Sequence, residues 1–212
     1  MTDVTPTIEL PEPLLESALA EFRQHGFSEA NVARIASSAG ISKKTVYRHV
    51  ESKEALLEAV MVVMVTRSVG PVVTADPDLE PSQWLRSYMK AFAALTFSDH
   101  GIASYRVVMS EGQRFPHVAH LYIQTVRRLA IKPLAEQLEA YGERGKIRIV
   151  AAERAAMMLV SMIVADGLRD AVLGLAEPPR GDALDELVNE GVDVFLGGIA
   201  REAPKEEVPL AR

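Results

Sequence analysis

Lys43, Lys44, Thr45, Tyr47, Arg48 and His49 fall within one short stretch of the chain, and their shared chemistry is anion recognition. Lys44, Tyr47 and Arg48 are spaced i, i+3, i+4, which puts two cations and a phenol on one helical face. Lys43 and Thr45 stand at the exposed N-terminal end of the same segment. Cations and hydroxyls of this kind hold phosphate oxygens, and a lysine or arginine also reaches the O6 and N7 of guanine. Val46 and Val50, four apart, point away from that face. A short helix with an apolar back and a cationic front suits the DNA major groove, which is about 12 Å wide. The pattern alone fits a solvated helix hairpin with ordinary surface lysines equally well.

Other chemistry finds little footing. The histidines are His25, His49, His100, His117 and His120. His117 and His120 are three apart, but no acidic residue on the same face completes a metal site, so no metal is expected. GxSxG, HExxH, P-loop and GxGxxG signatures do not occur. No catalytic set and no cofactor site are expected. With no cysteine, disulfides and thiolate centres are ruled out.

The elements that must position the cationic face are legible nearby. Asn31 can cap a helix whose buried stripe is Val32, Ile35, Ala36 and Ala39. Gly40 follows where the backbone must turn sharply, and glycine takes φ > 0 there without steric cost. Ser42 then caps the second helix. Behind this pair, Leu15, Leu19 and Phe22 line a first helix ending at His25-Gly26, with Phe27 folding back into the same small core. Ser52 caps a fourth helix packed through Leu56, Leu57, Val60 and Met64. Lys53, at that helix start, is expected at a phosphate. His49 is expected at a phosphate or as a helix cap. The candidate DNA-contacting set is thus Asn31, Arg34, Ser42, Lys43, Lys44, Thr45, Tyr47, Arg48, His49 and Lys53.

The charge balance supports a defined site over general coating. The whole chain of 212 residues carries a formal net charge of −6. Between Asn31 and Lys53, however, five basic residues face only Glu51, a local basic patch on an acidic protein.

Beyond the first four helices, Gly70 to Pro81 reads as a domain boundary. Five more helices are expected at about 81–97, 99–111, 116–141, 152–175 and 182–200, with Pro133 kinking or splitting the third of them. Ile147 to Val150 is the best strand candidate and is too short to matter. The fold class is therefore all-α, with about nine helices. The expected divisions are a loose arm at 1–12, a DNA-binding unit with its connecting helix at 13–68, a helical ligand-binding and dimerisation unit at 69–201, and a tail at 202–212. The N-terminus lacks a basic segment followed by an apolar core, so no secretory signal is expected. The apolar run at 59–65 falls short of a membrane span, and a cytoplasmic protein is expected.

From Leu14 to Met61 the chain resembles the DNA-binding domain of the TetR family of bacterial regulators. The resemblance rests on LxxALxxFxxxGF in the first helix, IAxxAGIS across the turn, TVYRHV in the second helix of the pair, and SKEALL opening the fourth. It implies a homodimeric, ligand-responsive regulator, a repressor, bound to a palindromic double-stranded operator and released when the fourth helix swings. Lys44 stands where similar proteins often carry a small residue, which makes it a candidate for a base contact.

Two further sets follow in the C-terminal part. Met64, Trp84, Tyr88, Phe92, Tyr105, Met109, Tyr122, Met158 and Met162 combine adaptable packing with polar tips, which suits a pocket for an apolar or amphipathic small molecule. The resemblance implies such a pocket, enclosed mainly by the fourth to eighth helices. Leu159, Ile163, Leu184, Leu187, Val188 and Phe195 belong to wide apolar stripes on the last two helices, more than one chain is expected to cover. In similar proteins this pair builds a two-fold four-helix bundle. Two other readings stay open: a cytoplasmic small-molecule carrier with a vestigial helix-turn-helix, and a helical enzyme with a scattered site. The free cations of the short helix weigh against the first, the missing catalytic set against the second.

Overall fold

In the computed structural model, residues 10–73 and 79–199 are described. They are helical, in the order α1 (Glu12–Glu29), α2 (Val32–Ser38), α3 (Lys43–His49), α4 (Lys53–Val73), α5 (Pro81–Thr96), α6 (Asp99–Glu111), α7 (Pro116–Val126), a π-helical turn (Arg127–Ile131), α8 (Lys132–Glu143), α9 (Ala152–Leu173) and α10 (Asp182–Ile199). No strand occurs among the described residues, and residues 147–150 form a loop. Since α7, the π turn and α8 are continuous, nine rods result among the described residues.

Pro133 accounts for that π turn. Proline lacks an N–H and its ring collides with the carbonyl four residues back; a widened turn is one way a helix absorbs such a misfit. The turn sits just ahead of Pro133, which lies in the first turn of α8. The expected break is therefore a bulge in a continuous helix. The Tyr88 hydroxyl donates to the carbonyl of Ala130 within the turn at 2.6 Å.

Two apolar clusters form. The first gathers α1 to α3 and the start of α4, through Leu14, Leu15, Phe22, Phe27, Ile35, Val46 and Leu56. The second is built from α5, α8, α9 and α10 with the later part of α4, around Trp84, Tyr88, Leu134, Tyr141, Leu159 and Val192. Helix α4 supplies Leu56, Leu57, Val60 and Met61 to one and Val65 and Val69 to the other. It is also the one described helix long and apolar enough to cross a membrane, and half of its most apolar window is buried inside the protein. Service to two cores accounts for its composition. It extends beyond the expected end near Ser68, to Val73.

The expected arm falls mostly outside the described residues, as does the expected tail. Within them, Leu10 is buried and α1 begins at Glu12.

Candidate nucleic-acid interface and effector cavity

Local capping builds the short helix pair. The N–H of Ala33 donates to Asn31 Oδ1 at 2.8 Å, and the N–H of Thr45 to Ser42 Oγ at 3.0 Å, so each helix starts where its cap residue stands. Gly40 has φ +68°, and the Ile41 N–H closes the turn onto the Ala36 carbonyl at 2.9 Å. Val46 is fully buried behind α3, which fixes the opposite face outward. Lys43, Lys44, Tyr47, Arg48 and His49 are all exposed on that face. Lys43 Nζ lies 5.8 Å from the centre of the Tyr47 ring. The Thr45 hydroxyl shares a 2.8 Å hydrogen bond with Ser42 Oγ. The arrangement presents Lys44 and Arg48 to solvent with no ion pair among the described residues.

Two of the candidate DNA-contacting residues are instead occupied within the protein. Arg34 donates from Nε to Glu21 at 2.9 Å and from Nη2 to the Glu29 carbonyl at 2.8 Å. Burial pushes the Glu21 carboxyl up, but the hydrogen bonds from Arg34 and from the Asn31 N–H outweigh it, and its pKa lies below the usual value. Lys53 is likewise turned inward. Its Nζ donates to the carbonyls of Phe27 at 2.7 Å, Ser28 at 3.1 Å and Ala30 at 3.3 Å, and lies 4.6 Å from the centre of the Phe27 ring. Carbonyls left free at a helix end attract a cation, and the end of α1 is close by. Arg34 and Lys53 therefore brace the α1–α2 joint.

The two histidines of α7 have separate partners within the protein. His117 packs edge-on against Phe27 and Phe115, and His120 Nδ1 lies 2.8 Å from the Pro116 carbonyl.

A cavity of about 400 Å³ opens between α1, α4, α5, α6, α7 and α9. Of the candidate pocket residues, Met64, Phe92, Tyr105 and Tyr122 line it. The Tyr105 and Tyr122 rings are 6.1 Å apart, and burial, with the neighbouring Tyr105, pushes the Tyr122 hydroxyl up to about 12. Trp84 and Tyr88 do not line it. They stack at 4.9 Å inside the second core, because both lie on the face of α5 turned to that core. Met109, Met158 and Met162 are exposed and lie outside the cavity. The structure adds lining residues from α1, namely Leu19, Phe22, Arg23 and Phe27. Nothing in the spacing of α1 distinguished core positions from cavity positions, since both lie on one apolar face.

The expected dimer residues require a parallel correction. Leu159, Ile163, Leu184, Val188 and Phe195 are buried within the chain, and Leu187 is half-buried against the same core. Packing of α10 against α5 and α9 consumes that stripe. The large apolar residues that α9 and α10 turn outward are Met157, Met158, Met162, Leu173 and Val194.

With this geometry in place, the comparisons with known proteins fall into line. Residues 83–198 match the family model described as the AefR-like transcriptional repressor C-terminal domain, and residues 14–60 match that of the bacterial regulatory proteins of the tetR family. The HTH-type transcriptional regulator UidR of Escherichia coli (strain K12) is 27% identical over 135 residues, covering 63% of this chain and 67% of UidR. Among solved structures, a TetR-family regulator from Mesorhizobium loti MAFF303099 superposes with a TM-score of 0.76 at 20% identity, over 93% of this chain and 100% of that one. The flavonoid-responsive regulator FrrA gives 0.68 at 26% identity, over 93% and 98%. Matched over both its short helix pair and the greater part of its length, the chain belongs to the TetR family of transcriptional regulators, with α2 and α3 as its DNA-binding helix-turn-helix.

Proposed function

We propose that the protein is a cytoplasmic, ligand-responsive repressor that binds a palindromic operator as a homodimer and is released by a small apolar or amphipathic effector. The observation that carries this reading is the position of the cavity. Its walls include α1 and the first half of α4, the same helices that pack behind α3. A molecule that fills it and prefers one arrangement of α1 and α4 shifts the protein toward that arrangement. We divide the chain into a DNA-binding unit at 13–68 and an effector-binding and dimerisation unit at 69–201. The outward Met158, Met162 and Val194 would form the seam between two copies, and two α3 helices one DNA turn apart, about 34–36 Å, would meet a palindrome. The effector response of FrrA, a flavonoid-responsive regulator, is consistent with such a design.

The test is a gel shift on the DNA upstream of the protein's own gene, repeated with candidate effectors found by thermal shift. Retarded cognate DNA that scrambled DNA does not compete away supports the reading. Equal affinity for both would favour a carrier whose helix pair no longer reads sequence.

A further inference from the structure

The charges around the cavity are one-sided. Arg23, His100 and Arg169 line it, and among the described residues no carboxylate does. Arg169 is neutralised by Asp166 at 2.8 Å and Asp170 at 3.0 Å. Arg23 has no ion pair among the described residues and is exposed on one side, which puts it at the mouth. His100 Nδ1 is buried without a hydrogen-bond partner, an arrangement that is costly unless a ligand completes it. Arg23 and His100 both line the cavity. Both help hold the Asp99 carboxyl below its usual range, after the larger effect of its Arg180 hydrogen bond. That 2.7 Å bond also commits Asp99 to Arg180, so Asp99 leaves Arg23 and His100 to other anions. The remaining walls are mostly apolar, and about 400 Å³ falls within the range of small-molecule sites, roughly 300–1,000 Å³.

We propose that the cavity takes an anionic amphiphile, with its apolar body among Phe22, Met61, Met64 and Phe92 and its anionic head between Arg23 and His100. This rests on the effector reading above and adds the ligand class and the route of action. Arg23 belongs to α1 and His100 to α6. The bound head therefore ties the helix behind the helix-turn-helix directly to the C-terminal part. A cation–anion contact in a partly dry mouth is stronger than a neutral one, whereas a cationic head would meet Arg23 and be repelled.

Dodecanoate, dodecanol and dodecyltrimethylammonium, each below its micelle threshold, present one chain with three head charges. Titration calorimetry on the full-length protein should give dodecanoate about tenfold tighter binding than dodecanol or more, with the cation weakest. Arg23→Gln should remove most of the preference for dodecanoate over dodecanol, and Arg23→Lys should restore part of it. Equal binding of all three, a preference for the alcohol or the cation, no binding of any, or an undiminished preference in Arg23→Gln would overturn the proposal. The operator gel shift without ligand is read separately. Sequence-specific DNA binding with no head-group preference sinks this inference alone, and head-group preference with no DNA binding sinks the repressor reading alone.

Discussion

The carboxylate of Glu111, the last residue of α6, accepts the backbone N–H of Ser28 at 2.8 Å, and its other oxygen accepts that of Phe27 at 3.1 Å. Lys53 takes the carbonyls of the same two residues from the α4 side. The joint between α1 and α2 is thus gripped by an anion from one neighbour and a cation from another. Glu111 thereby links the end of α6 to the base of the helix-turn-helix.

Glu111→Ala should destabilise the protein by about 1–3 kcal/mol, since two partly buried N–H groups lose a charged acceptor. Gly26→Ala should cost at least as much. Its Cβ would stand 2.4 Å from Glu111 Oε1, at a φ of +67°. Urea unfolding measures both. Losses below about 0.5 kcal/mol in each would show that the grip contributes little.

Lys53→Ala should act on stability more than on salt response, with a loss of about 1–3 kcal/mol. The same urea midpoints, set beside DNA titrations at several salt concentrations, decide it. Unchanged stability with a shallower salt slope would return Lys53 to the phosphate contacts.

With Arg34 and Lys53 withdrawn, Lys43, Lys44 and Arg48 remain as free cations in each subunit. A dimer would neutralise about six phosphates, and the log–log slope of affinity against salt should lie near −5. A slope near −9 would mean that the inward pair also reaches DNA. Lys44→Ala should cost about 1–3 kcal/mol at one base pair of each half-site if it reads guanine. Equal losses on cognate and scrambled DNA would place Lys44 at a phosphate.

The Glu21–Arg34 pair predicts an acid limb of stability. The folded Glu21 pKa lies below the ordinary 4.5, so its stabilisation is fully present above that value and is lost as pH falls through the folded pKa. Glu21→Gln should lower stability at neutral pH and flatten the decline that sets in as pH falls below 4.5. Parallel acid limbs in the two proteins, by circular dichroism, would assign the decline to other carboxylates.

Met162→Glu and Val194→Glu should give folded, soluble monomers, because these side chains face outward. Phe195→Glu should unfold the second core instead, since it would bury a charge without a partner. Light scattering with circular dichroism separates the two. A stable dimer of Met162→Glu would move the seam elsewhere.

The sequence by itself determined the helix-turn-helix, because everything that builds it is local. Asn31 and Ser42 cap over two or three residues, Gly40 supplies the turn, and the spacing of Val46 and Val50 sets which face of α3 is dry. The all-helical layout and the interruption at Pro133 were legible for the same reason. The partners of the long charged side chains were decided only by the tertiary structure. Arg34 meets Glu21, and Lys53 meets the end of α1, at separations along the chain that no local pattern encodes. The wide apolar stripes of α9 and α10 likewise left open which edge faces in. Packing against α5 spent Leu184, Val188 and Phe195 on the core and left Met158, Met162 and Val194 outside. The cavity belongs to the same class. A helix that lines a void and one that fills a core carry the same apolar periodicity, and only the distance to the facing helix distinguishes them.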